Sequence, residues 1–439
     1  MKINIDILPE EDSANGWTAI LPSRPSRPAL EGRRVFDWAV LGAGFTGLAA
    51  ARRLARARPD ARIAVIDAGA VGDGASGRNS GFAIDHAHSL GGAENPVTAH
   101  AQNRLYKEGL RSLRALVKEY KIDCDWRDVG KYHAARSTRG VRKILRPLAH
   151  QLGEMEETFR WCDRAEMAGA LGADLYQAGV YTPGTALVNP AALVRGLADA
   201  LPENVTVFEN SAVRAIEAGP RVVLKTTRGA VDAGGLILAT NAYTPAHGVY
   251  RGRLLPLIAF ASLTAPMSED QQAALGGARS WGVTPADGFV SPTIQRTGDN
   301  RLLFRLDIFY RPTLRLRRHE LARMRERHIG ALRERFPMLD DLSVDHTWSG
   351  YLCVSANEHS AFGAVADRIW VAAGHQGVGV TRGTIAGQLI ADVALGEENL
   401  LIAEMQKIAG PPAGPPQPFL DLGVRANIAW RRVAGRHEV

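Results

Sequence analysis

The sequence predicts a mixed α/β (α+β) fold made of two intertwined domains. Three observations carry the prediction. At 439 residues the chain exceeds what one small core can organise. Between 35 and 67 an apolar run, a glycine turn, a helical pattern and a second apolar run follow one another, which is a βαβ unit. A region of short strands with one strong helix, 247–345, separates that unit from the strand and helix that close it.

Taken in order, residues 1–30 carry Pro, Ser and Gly with little periodicity, so an extended arm lying on the surface is expected. VFDWAVLGAG, 35–44, predicts a buried strand, 46–58 a helix, and ARIAVID, 61–67, a second buried strand. From about Thr98 the pattern turns helical. Tyr106, Leu110, Leu113, Val117 and Tyr120 recur at alternating spacings of four and three, which makes one apolar face. VGKYHAAR, 129–136, predicts a strand, and further helices are expected near 139–155 and 190–201. NVTVFENSAVRAIEAG, RVVLKTT and GLILATNAYT, between 204 and 244, predict strands returning to the first unit. In 247–345, NRLLFRLDIF predicts a strand and 319–335 a helix with Leu321, Met324, His328 and Leu332 on one face. RIWVAAG, the loop HQGVGV and a helix over 381–395 close the fold. GPPAGPPQP, 410–418, is a stiff linker. A short Arg-rich helix follows; packing on its own domain with its charges solvated is expected over contact with an acidic partner or a membrane surface.

Composition excludes several classes. The net charge of +7 is spread along the chain, and no basic patch with aromatic platforms stands out, so nucleic acid is not an expected partner. Cys124, Cys162 and Cys353 lie far apart, which excludes a disulfide framework and a C-x-x-C metal site; no metal is expected. The opening MKINIDILPEED lacks the apolar segment of a signal peptide, and no apolar stretch reaches bilayer length. A cytoplasmic protein without integral membrane contact is the expectation.

Gly42, Gly44 and Gly47, with Ala43, Phe45 and Thr46 between them, form G-x-G-x-x-G at a strand-to-helix turn. The first glycine permits the tight turn, the second the approach of a pyrophosphate, and the third close helix–strand packing. The helix N-terminus offers free N–H groups to the phosphates. Asp67 ends the second strand about 20 residues on, where a ribose hydroxyl partner belongs, and Ala68 follows it. A tightly packed glycine turn without a ligand would not need that acid.

Two further segments separate FAD from NAD. GDGASGRNSGF, 72–82, sets small residues, Gly74, Ala75 and Gly81, among the donors Ser76, Arg78, Asn79 and Ser80, and ends at Phe82. Such a loop can lie against a ligand and reach phosphate and ribitol oxygens. GHQGVGVTRGT, 374–384, joins a buried strand to a helix, as an anion site does. A reduced isoalloxazine is anionic at N1 and O2, so this loop, with Gly374, Gln376, Gly377, Val378, Gly379, Val380 and Thr381, would favour it. An NAD enzyme needs no second cradle of this kind.

The span from Gly42 to Asp67, with GASGRNSGF, LATNAYT and GHQGVGVT, resembles the FAD-dependent D-amino-acid oxidase, glycine oxidase and sarcosine oxidase family. Within it the chain is most similar to the γ-glutamylputrescine oxidase-like proteins. The resemblance runs from about 30 to 400. The family usually ends the second strand with Glu, and Asp67 is one methylene shorter. The resemblance implies a glutathione-reductase-type FAD-binding Rossmann domain plus a substrate domain whose largely antiparallel sheet covers the flavin. It implies that Val213 meets adenine through its backbone, that Ala239, Thr240 and Asn241 line the pyrophosphate side, and that Gly377 to Thr381 meet the flavin pyrimidine. The expected division is an arm, 1–30; an FAD domain from 31–103, 187–246 and 346–395; a substrate domain from 104–186 and 247–345; and a linker with a terminal helix, 396–439.

The family chemistry implied is oxidation of a C–N bond, with hydride passing to flavin N5 and the imine hydrolysing. Desolvation keeps the amine neutral, so no dedicated base is required. Glycine oxidase-like members carry W-x-G-x-R, whose Arg grips a substrate carboxylate. Here the stretch is WSGYLCVSAN, 348–357, with Leu352 at that place, which favours a primary or secondary amine, such as a polyamine derivative, over an amino acid. Arg305 is a candidate for holding a substrate anion or favouring oxygen reduction, or an edge residue facing solvent. Tyr351 and Trp348 are pocket walls or core. His375 touches flavin or substrate, or holds its own loop. Tyr132 and His133 are expected in the core. Cys353 lies where sarcosine oxidases link flavin, but the spacing differs, so FAD is expected non-covalent. The expected acceptor is molecular oxygen or another electron acceptor, with an oxidase favoured over a dehydrogenase. The alternatives are an amino-acid oxidase or dehydrogenase of the same fold, and a flavin-binding subunit without catalysis of its own.

Overall fold

The computed structural model describes residues 2–10, 13–86, 96–286 and 291–438. Two sheets organise them. The first is built on five parallel strands in the order Val205–Phe208, Ile63–Ile66, Gly32–Leu41, Gly229–Leu238 and Ile369–Ala373. Ile63, Ala64, Val65 and Ile66 are all buried, as strands covered on both faces require. Gly229–Leu238 pairs along its length with Gly32–Leu41, from Gly229 opposite Gly32 to Leu238 opposite Leu41. Its other edge is shared: the first half takes the antiparallel Val222–Lys225, the second half Ile369–Ala373. The helices Phe45–Ala57, Pro96–Glu119, Pro190–Asp199 and Thr381–Ala394 bury their apolar faces in one core on this sheet. The strands Gly32–Leu41, Ile63–Ile66, Gly229–Leu238 and Ile369–Ala373 all end at one edge, so the loops after them converge there. That carboxyl edge is where open α/β sheets bind ligands.

The second sheet has eight strands, ordered Val344–Val354, Leu255–Thr264, Leu302–Tyr310, Thr293–Arg296, Trp281–Pro285, Lys131–Ala135, Ala178–Thr182 and Arg160–Asp163. Only Trp281–Pro285 and Lys131–Ala135 run parallel; the other pairs are antiparallel, as expected for the covering sheet. The helix Glu320–Arg335 packs behind it through Met324, His328 and Leu332.

Four expectations need correction. The arm is not confined to the surface. Lys2–Asn4 pairs with Ala215–Glu217 at the edge of the first sheet, and Ile5, Trp17 and Leu30 are buried. Its apolar residues outweigh its Pro and Gly content. A boundary at 104 falls inside Pro96–Glu119, whose Leu105, Leu110, Leu113 and Leu116 belong to the first core; a Cβ on Gly109 would lie 2.4 Å from the Thr381 carbonyl oxygen. A boundary at 346 falls inside Val344–Val354, which pairs with Leu255–Thr264 in the second sheet. Finally, GLILATNAYT does not continue as a strand. Pairing stops at Leu238, and Asn241–His247, with Pro245 inside it, winds as a 3₁₀ helix. Among the described residues no helix is long and apolar enough to cross a membrane.

Candidate active site

The turn after Gly32–Leu41 is fixed by steric need. Gly42 has φ +108, where a side chain is strained, and a Cβ on Gly47 would lie 1.8 Å from the Gly42 carbonyl oxygen. The helix can therefore close on the strand only with glycine at 47. Ser76 Oγ accepts from the Phe45 N–H at 3.0 Å, joining this turn to the loop 72–82. Asp67 Oδ2 accepts from the Ala43 N–H at 2.6 Å and Oδ1 from the Gly69 N–H at 3.0 Å. Burial pushes the Asp67 carboxyl above its ordinary range, against those two N–H donors. A carboxylate accepts about four hydrogen bonds, so capacity is left for a ribose hydroxyl.

The third and fourth loops lock onto each other. Asn241 Oδ1 accepts from the Gly374 N–H at 3.1 Å and from Cys353 Sγ at 3.2 Å. The Gln376 amide donates to the Gly374 carbonyl at 2.9 Å and accepts from the Ser355 N–H at 3.1 Å. The His375 ring bridges to the first turn, its Nε2 lying 2.9 Å from Thr46 Oγ1. Burial pushes His375 down to about 3, so the imidazole is neutral, and its Nδ1 has no partner. Thr381 Oγ1, at the start of the last core helix, is likewise buried without one.

These loops enclose one side of an elongated cavity of about 790 Å³, and the second sheet covers the other. Of the predicted residues, Gly42 to Thr46, Asp67, Ala68, Gly74 to Ser76, Arg78 to Ser80, Phe82, Val213, Ala239 to Asn241 and Gln376 to Val380 line it, as do Arg305, Tyr351 and His375. Gly47, Gly81, Gly374 and Thr381 stand behind the wall and shape the loops from there. Two predicted donors are engaged with protein. The Arg78 guanidinium donates to Ser13 Oγ at 2.9 Å, the Ser13 carbonyl at 2.7 Å and the Ser349 carbonyl at 3.1 Å. The Asn79 amide donates to the Ser76 carbonyl at 2.7 Å and accepts from the Gly81 N–H at 2.8 Å.

At the sheet end, half-buried Arg305 donates to Thr293 Oγ1 at 2.5 Å, both lining the cavity, and desolvation there pushes its guanidinium down to about 10. Its strand lies inside the sheet, between Leu255–Thr264 and Thr293–Arg296, so Arg305 is not on a sheet edge. His133, expected in the core, lines the same end with Nδ1 3.0 Å from Thr284 Oγ1. Tyr351 stands edge-to-face with Tyr243, centroids 6.1 Å apart, and Leu352 lies beside them. Trp348 reaches the cavity wall yet is buried, packed on Trp17.

Sequence reasoning missed the arm's share of this wall. Ile5, Leu8, Pro9 and Glu10 line the cavity. The Asn15 amide donates to the Gly72 carbonyl at 3.1 Å and the Gly77 carbonyl at 2.9 Å, and Trp17 Nε1 to the Asn79 carbonyl at 2.8 Å. The signal was the alternation of Ile3, Ile5 and Ile7, which is a strand pattern.

Glycine loops without room for a Cβ, helix N-termini at the carboxyl edge, an acid at the ribose position and unpartnered buried polar atoms beside the cavity together fit an extended dinucleotide. Such a site, capped by an antiparallel sheet, defines a flavin-dependent oxidoreductase. The chain belongs to the DAO family of FAD-dependent oxidoreductases, which it matches over residues 37–393. It is 30% identical over 419 residues to the probable oxidoreductase OrdL of Haemophilus influenzae, covering 91% of this chain and 92% of that one. The gamma-glutamylputrescine oxidoreductase of Escherichia coli is 28% identical over 372 residues, covering 82% and 84%. Among solved structures, glycine oxidase from Geobacillus kaustophilus superposes with a TM-score of 0.69 at 21% identity, covering 83% of this chain and 96% of that one. The protein is thus an FAD-dependent oxidoreductase of that family.

Proposed function

We propose that this protein oxidises the C–N bond of a primary or secondary amine without an α-carboxylate, polyamine derivatives included, and returns the electrons to oxygen. The observation that carries the reading is Leu352, which lines the cavity where glycine oxidase-like members place a carboxylate-gripping Arg. The E. coli relative, an oxidoreductase named for gamma-glutamylputrescine, points the same way. Bound FAD supplies the two-electron acceptor for the C–H bond beside nitrogen.

The chain's own residues set the stage for that transfer. Gly42 to Thr46, Asp67 and Gln376 to Val380 would hold the cofactor along the carboxyl edge. Tyr243, Tyr351 and Leu352 line the sheet end with largely apolar surface, and desolvation there would lower the pKa of a bound ammonium. Arg305 keeps its positive charge at neutral pH and further disfavours an ammonium in the same cavity. Both effects hold the substrate as a neutral amine, the form that can release hydride, so a dedicated base has no task.

Anaerobic mixing with a panel of amines and amino acids tests the reading. Amines should bleach the yellow absorbance, with hydrogen peroxide released on admitting air. Reduction by glycine or a D-amino acid but by none of the amines would overturn it. A second reading, a substrate bearing a carboxylate, has Arg305 in its favour, since a guanidinium that lines the cavity on the sheet wall can receive an anion. In that case Arg305→Leu would raise KM for the carboxylate substrate far more than it lowers kcat.

A further inference from the structure

The helix Phe419–Gly435 has two unlike faces. Its inner face is seated on the strand Leu302–Tyr310. Leu420 and Ile428 are buried, the Tyr310 hydroxyl donates to Asp421 at 2.8 Å, and Arg432 donates to the Ile308 carbonyl at 2.8 Å while lying 4.2 Å from the Phe309 ring centroid. Its outer face carries Phe419, Leu422, Ala426, Trp430 and Val433 at spacings of three, four, four and three. At about 100° per residue these fall within an arc of roughly 80°. Phe419, Leu422, Trp430 and Val433 are 65%, 61%, 67% and 63% exposed. They are four of the eight large apolar side chains exposed among the described residues, so the exposure is concentrated rather than scattered.

The exposed arginines beside this stripe are Arg425, which also lies over the Tyr310 ring, and Arg436. The two acids are already engaged: Asp421 accepts from Tyr310 and Gln417, and buried Glu438 accepts from the Arg136 and Ser137 N–H groups. What remains for a partner is a positive rim around an apolar, Trp-bearing stripe.

We propose that this face docks on an anionic lipid surface, with the helix lying in the headgroup plane and the apolar stripe facing the acyl chains. A helix with aromatic and aliphatic residues on one side and Arg on its borders binds there by burial plus attraction to anionic lipid. A second copy of the chain suits the face poorly. Two-fold pairing through Ala426 would set the two Arg425 side chains across one seam, where like charges repel. The docked helix sits on the strand that presents Arg305 to the cavity, so the bilayer would lie against the substrate-domain sheet.

Flotation of the FAD-loaded, full-length protein with vesicles tests this. Binding is expected to vesicles containing phosphatidylglycerol and not to pure phosphatidylcholine, and it should weaken as salt rises. Arg425→Gln should lower partitioning about fivefold, the factor expected for one basic residue at an anionic surface. Leu422→Glu with Trp430→Glu should abolish it while the melting temperature and the yellow absorbance stay as in the parent. No flotation with anionic vesicles, or equal flotation of the double variant, overturns the proposal. So does a dimer by light scattering that the double variant splits without any lipid binding, since the face would then belong to a second copy.

Discussion

Replacing Asn15 by Ala probes whether the arm helps hold FAD, because the side chain touches the loop 72–82 without touching the glycine turn. Four interactions disappear: three buried ones, the donor to the Gly72 carbonyl, the donor to the Gly77 carbonyl and the acceptor for the Trp17 N–H at 3.1 Å that caps the short helix Gly16–Ala19, and a partly buried donor to Thr18 Oγ1 at 3.1 Å. Each buried hydrogen bond contributes about 1 kcal/mol net, so the loss is about 2–3 kcal/mol. Ser76 in that loop accepts from Phe45 N–H, and Ala75 to Ser80 face the cavity apart from Gly77, so a loosened loop must be reordered whenever FAD binds. If most of the loss falls on that reordering, FAD binds about 30- to 150-fold more weakly, by the usual conversion of 1.4 kcal/mol per tenfold. The assay is titration of the apoprotein with FAD, followed by quenching of flavin fluorescence, alongside melting of the apo and loaded forms. The expected result is a large rise in Kd with a small drop in the apo melting temperature. An unchanged Kd with a lowered apo melting temperature would show that the arm stabilises the fold and leaves the cofactor site alone.

Three more outcomes are expected. Gly47→Ala puts a methyl 1.8 Å from the Gly42 carbonyl oxygen, so helix and strand must part; FAD affinity should fall about 100-fold, and a variant that purifies fully yellow refutes the account of the turn. Burial pushes the Cys353 thiol up to about 12 and its sulfur already contacts Asn241, so it stays protonated; acid precipitation should leave flavin in the supernatant, and a yellow pellet would contradict this. His133 and His375 are pushed down to about 3, and His247 and His328 to about 4, from an ordinary 6.5, in each case chiefly by burial. Between those values the unfolded chain binds protons the native protein does not, so this stability is present above about pH 6.5 and lost as pH falls toward 4. The melting temperature should decline over that window; a flat profile from pH 7 to 4.5 would be the contrary result.

Local patterns were legible because local sterics and periodicity determine them. The strand, the glycine turn, the helix Phe45–Ala57 and the strand Ile63–Ile66 each announce themselves within a few residues, and so does the loop before Thr381–Ala394. What could not be read is which core an apolar face meets. The stripe on Pro96–Glu119 has the right spacing for any neighbour, and only the close crossing at Gly109 assigns it to the first sheet. Val344–Val354 looks the same whether its partner is Leu255–Thr264 or a parallel strand. Arg78 illustrates the same limit at the site: its sequence position suits a ligand, while its fork is taken by Ser13, a residue 65 positions away. The helices Arg164–Leu171 and Glu269–Leu275 did carry a local sign, the capping boxes of Asp163 with Glu166 and Ser268 with Gln271, which apolar periodicity alone passes over.

The bond between Thr46 and His375 joins positions 329 residues apart. A chain emerging from the ribosome therefore has its first nucleotide turn in the open long before the loop that grips the ring end exists. Colour should appear only after synthesis has passed the Thr381–Ala394 helix, and polypeptides halted earlier should stay pale however much riboflavin the cell contains.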